Sequence, residues 1–125
     1  IVPQIEETRL HLAAAERALE AGKARVEGAR KERRAAEKDL EVQIEKRRKF
    51  QEQQSKVKTN KEYQALMGEL AALKLEETAA EDRILTQMEQ QAEAEKLLPG
   101  FAAEVGREKL AAWAAEQDGV GQPKT

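Results

Sequence analysis

Residues 57–70 read VKTNKEYQALMGEL, and the way this stretch folds decides the architecture of the chain. Thr59-Asn60-Lys61-Glu62 fits the S/T-x-x-E capping box, in which the threonine hydroxyl accepts from the amide three residues on and the glutamate returns to the cap amide. A helix is therefore expected to begin at Asn60, with Thr59 as its N-cap. On either side of this signal the chain reads as coiled-coil shaft.

Upstream, a seven-residue repeat runs Ile5, Leu12, Leu19, Val26, Arg33, Leu40 and Arg47. Its companion positions begin Thr8, Ala15, Gly22 and continue through Ala29, Ala36, Gln43, Phe50 and Val57, so the spacing is that of heptad a and d positions. Pro3 suits a first helical turn, where its missing amide hydrogen has no partner to lose. The companion positions are mostly small, which lets a second backbone approach closely but buries less than leucine would. Gly22 and Gly28 each cost about 1 kcal/mol relative to alanine in a helix interior, so this half reads as the softer one.

Downstream the repeat resumes at Tyr63, Leu66, Leu70 and Leu73 and continues through Ile84 to Leu98. With a turn centred between 58 and 59, antiparallel partners have numbers adding to about 117. Phe50 then meets Met67, Leu19 meets Leu98, and Arg33 and Arg47 face Ile84 and Leu70. The two repeats come into register, which predicts a hairpin. One continuous helix in a parallel dimer, about 140 Å long at ~1.5 Å per residue, is the alternative left open.

Pro99-Gly100 is expected to break or kink the second arm. Phe101, Val105, Leu110 and Trp113 then return at helical spacing, with Trp113 covering the open end of the hairpin beside Ile5. Residues 118–125, DGVGQPKT, have the composition of a disordered tail or a truncated linker. The fold expected is all-α: a long antiparallel coiled-coil helical hairpin over 1–117 with a kinked second arm. Its parts are a helix 3–57, a turn 58–59, a helix 60–98, a kink 99–100 and a helix 101–117.

Composition agrees with a narrow apolar stripe rather than a layered core, since 37% of the 125 residues are charged and 3% aromatic. Net charge is −2, divided unevenly: residues 1–58 carry about +4 and residues 59–125 about −6. In an antiparallel pair that asymmetry gives attraction along the shaft. No run of apolar residues approaches the ~20 needed to span a bilayer, and no secretory leader is present, so a cytoplasmic location and no membrane contact are expected. The chain opens Ile1-Val2-Pro3 rather than on methionine, as a fragment or processed form would.

Chemistry-bearing constellations are absent from the sequence. There is no cysteine, so neither disulfides nor thiolate metal sites can form. His11 is the single histidine and reads as a helix-surface residue. A two-helix hairpin offers no pocket for paired carboxylates, so the expectation is a non-enzyme without metal or cofactor.

Two surfaces remain as candidates. Lys56, Lys58, Asn60, Lys61 and Tyr63 form a polar tip suited to a protein partner. Arg30, Lys31, Arg34, Arg48 and Lys49 form a candidate polyanion-binding stripe for RNA or DNA, as the alternative function. Interleaved Glu32, Glu37, Glu41 and Glu45 and the lack of stacking aromatics weigh against that stripe. Arg33 and Arg47 are read as seam residues whose guanidinium groups reach a glutamate on the other helix. A channel factor of RNA polymerase, which needs an acidic tip, fits a lysine-rich tip poorly. A homodimer would cover exposed leucine and alanine.

Residues 57–66, with EDRILTQME over 81–89, resemble the bacterial coiled-coil and zinc-ribbon family. The resemblance implies a long helical hairpin followed by a four-cysteine zinc ribbon. It also implies regulation linked to flagellar or type III secretion, with the nitrogen-type alternative sigma factor, a flagellin messenger RNA or secretion components as partners. This chain has no cysteine, so the ribbon and its zinc do not carry over. What carries over is the hairpin and a protein-binding, regulatory role.

Overall fold

A computed structural model describes residues 2–121, with the side chains of 3–118. Two helices, α1 (Val2–Gln54) and α2 (Asn60–Gly121), pack against each other as a helical hairpin. They divide into two compact units, one formed by Gly28–Gln90 around the turn and one by Ile1–Glu27 with Gln91–Thr125.

The heptad in α1 is obeyed throughout. Every predicted seam position from Ile5 to Val57 is buried or half-buried, and Ala36 has no exposed surface. The same holds in α2 from Leu66 to Leu98. Most of the buried residues are alanines, and no large side chain among the described residues is fully buried. Close approach of two backbones thus replaces bulky packing, at well under the roughly 1.5–3 kcal/mol that a buried leucine would contribute.

Four expectations are corrected. First, α1 ends at Gln54 rather than 57. The Lys56 amide donates to the Gln53 carbonyl at 2.9 Å, a tightened last turn, and the Ser55 hydroxyl donates to the Glu52 carbonyl at 3.0 Å. The turn therefore occupies residues 55–59.

Second, the register shifts with that longer turn. In the unit around the turn Arg47 meets Glu77 instead of Leu70, and Met67 meets Gln54 instead of Phe50. In the other unit Gly22, not Leu19, lies against Leu98 and Phe101. Extra turn residues let the start of α2 run past the end of α1, so partners on α2 carry higher numbers. Tyr63 consequently has no α1 helix opposite it and is 40% exposed, outside the seam.

Third, α2 is one helix through Pro99 and Gly100, not two. The buried and half-buried positions Ala94, Leu98, Phe101, Val105, Glu108, Ala112 and Ala115 alternate steps of four and three without a slip. Pro99 stands on the outer side of that repeat, where water can serve the carbonyl that loses its amide partner. Leu110 and Trp113 are off the phase and lie 69% and 60% exposed, so Trp113 does not cover the open end. Fourth, Asp118–Gly121 continue α2; the rest of the expected tail, 122–125, lies outside the described residues.

Polar positions reinforce the pairing. Arg47 Nε donates to Glu77 Oε1 at 2.9 Å, with the glutamate side chain only 12% exposed, so two charged seam residues satisfy each other. Arg33 instead pairs along its own helix, 3.5 Å from Glu37. In the turn unit Arg83 reaches Asp39 at 2.7 Å, and in the other unit Arg9 reaches Glu116 at 3.1 Å. These link g with g and e with e positions, the flanking pairs of an antiparallel coiled coil.

Candidate functional site

The turn end of the hairpin is built by its cap. The Glu62 amide donates to Thr59 Oγ1 at 3.1 Å, and the Tyr63 amide to the Thr59 carbonyl at 3.1 Å. Glu62 returns its carboxylate to the Lys58 amide at 3.4 Å, one residue before the cap amide that the capping box predicts. One orphan amide of the helix start and one amide of the loop preceding it are thereby tied to one threonine and one glutamate.

Around this cap the five candidate tip residues, Lys56, Lys58, Asn60, Lys61 and Tyr63, are all exposed. Lys56 also lines a concavity of about 450 Å³ whose floor is Phe50, Val57, Ala65 and Leu66. The other four do not line it. A second concavity of about 360 Å³ adjoins it, sharing Phe50, Gln53 and Glu69, and is lined further by Lys46, Lys49, Ala72, Leu73 and Glu76. One groove results, with lysines along its α1 wall and Glu62, Glu69 and Glu76 along its α2 wall.

Sequence reading missed that groove, although a signal was present. Glu62, Glu69 and Glu76 recur every seven residues and so share a face of α2. Lys46 and Lys49 stand one helical turn apart on α1, with Lys56 seven residues after Lys49 in the turn.

The candidate polyanion stripe lies at exposed or half-buried positions of α1. Lys31, Arg34, Arg48 and Lys49 are exposed and Arg30 is half-buried, but Lys49 belongs to the groove wall. Arg48 lies 4.0 Å from Glu45. Acidic neighbours one helical turn away thus interrupt the positive charge on this face.

His11 is exposed, as expected of a surface residue. Glu104, on α2 beyond Pro99, is held below the ordinary carboxylate range, chiefly by the hydrogen bond from Arg107, then by one with Glu108 and by the Arg107 charge. Among the described residues no group of histidine, aspartate and glutamate is arranged to hold a metal ion. No described helix is long and apolar enough to cross a membrane. Comparison with protein-family models, curated proteins and solved structures finds no match for this chain.

Proposed function

We propose that the chain is a non-enzymatic coiled-coil interaction module whose turn end binds a protein partner. The observation that carries this reading is the exposed, lysine-rich cap at the end of an otherwise repetitive hairpin, held in shape by Thr59 and Glu62. Lys58, Asn60 and Lys61 have no role in the seam, and fixed backbone beneath them lowers the ordering cost of recognition. A cytoplasmic adaptor or regulator fits this character. The resemblance over 57–66 and 81–89 points to a sigma factor or a secretion component as the partner.

Reversing charge at the cap tests the reading. In a pull-down from the native cell, wild-type chain is expected to retain a protein that Lys58→Glu with Lys61→Glu loses, at unchanged helicity. Equal retention by both sinks the tip as a binding site. Retention of nucleic acid instead, with affinity falling steeply as salt rises, would transfer the function to the arginine stripe.

A further inference from the structure

The groove beside the turn carries opposite charges on its two walls. Its α1 wall carries Lys46 and Lys49, with Lys56 of the turn beyond them, its α2 wall Glu69 and Glu76, and its floor is apolar. The Asp39–Arg83 and Arg47–Glu77 pairs set which residues stand at one height, and by that register Lys46 lies level with Glu76 and Gln53 with Glu69. Even so, none of these lysines or glutamates forms an ion pair with a described residue. The groove holds the opposite charges apart.

We propose that this groove is the interface between two copies of the chain, related by a two-fold axis running along it. That axis preserves height and exchanges the walls, so Lys46 of one copy faces Glu76 of the other and Lys49 stands between the levels of Glu76 and Glu69, twice over. A two-fold axis across the groove would set lysines on lysines and glutamates on glutamates, and is disfavoured by like charge. Along the groove, α1 of each copy lies on α2 of the other with the helices running in opposite directions, as in a four-helix bundle. Phe50, Val57, Ala65 and Ala72 become its added core. Val42, 50% exposed and seven residues before Lys49, extends the apolar contact on the same face.

Because the axis keeps both turns at the same end, the dimer displays two caps side by side, and a partner with paired sites would gain avidity.

Sedimentation equilibrium of the full chain at two concentrations about a hundredfold apart is expected to give a monomer–dimer equilibrium. Lys46→Glu with Lys49→Glu, and separately Glu69→Lys with Glu76→Lys, should each weaken it at least about tenfold. Mixing the two variants should restore dimers as heterodimers, and one chain carrying all four changes should dimerise like the wild type. Circular dichroism on each variant separates lost association from lost folding. A wild type that stays monomeric at both concentrations overturns the proposal and leaves the groove to a helix of another protein. So does undiminished self-association of either variant, or a mixture that fails to recombine. Lys58 and Lys61 lie outside the groove, so the cap's protein-binding role fails or stands independently of this test.

Discussion

Gly22 and Gly28 look alike in the sequence, two glycines inside one helix, yet they do different things. A Cβ built on Gly22 would sit 3.0 Å from Phe101 Cδ2 and 3.1 Å from Leu98 Cδ2, whereas one on Gly28 would meet nothing within 4 Å. Gly22 is therefore the notch into which the α2 ring packs. Gly28 carries the cost of a helical glycine with no contact in return. We predict that Gly28→Ala raises stability by roughly 0.5–1 kcal/mol in urea unfolding. Gly22→Ala should fall at least about 1 kcal/mol below it, because overpacking offsets the helical gain. Equal gains at both sites would mean that Phe101 moves aside freely. Heptad position hinted at the difference, since Gly22 is on the seam and Gly28 is not; the identity of the ring that fills the notch needed the register. Trp113 carries the converse lesson. Its bulk suggested burial, but phase decides burial in a coiled coil, and the small Ala112 and Ala115 hold the buried positions.

At the scale of elements, Pro99-Gly100 in the sequence points to a break or kink, whereas Pro99 is an interior residue of α2. A proline cannot donate to the carbonyl one turn back, which costs about 3 kcal/mol relative to alanine in a helix interior. On the outer face, where water can replace the missing donor, the helix persists. Pro99→Ala should accordingly stabilise the chain, by about 1–3 kcal/mol, while helical content by circular dichroism hardly changes. A loss of stability would show that the proline is required by the packing of α2. The cap was legible to the residue, since Thr59 accepts from the Glu62 amide as the motif requires. Turn length was not. Nothing local in the EKRRKFQEQQSKV stretch distinguishes a helix ending at Gln54 from one ending at Val57, and the difference resets every contact between the arms.

For the whole molecule, antiparallel pairing is the feature on which both surfaces depend. Arg9 and Glu116 are 107 positions apart in sequence and 3.1 Å apart in space. In this cysteine-free chain, Arg9→Cys with Glu116→Cys should be joined within one chain by a short bismaleimide at high dilution. Cross-linking only into species of doubled mass would contradict the hairpin and favour the continuous parallel rod. The uneven charge of the two halves acts as expected in direction, with arginine on α1 meeting glutamate on α2 at Arg9 and Arg47. Asp39 with Arg83 reverses the polarity and so helps to exclude other registers.

By itself the sequence determined the helical character of both arms, the face buried from Ile5 to Phe50 and from Leu66 to Leu98, and the cap that starts the second helix, because these follow from neighbours within a few residues along one backbone. Only the tertiary structure decided which layer meets which, that Pro99 interrupts nothing, and that lysines and glutamates from separate heptads line opposite walls of one groove. Those outcomes depend on where the first helix stops. A heptad repeat is indifferent to sliding by whole turns, so the choice falls to turn length and to a few charged pairs that exist only once the two arms have met.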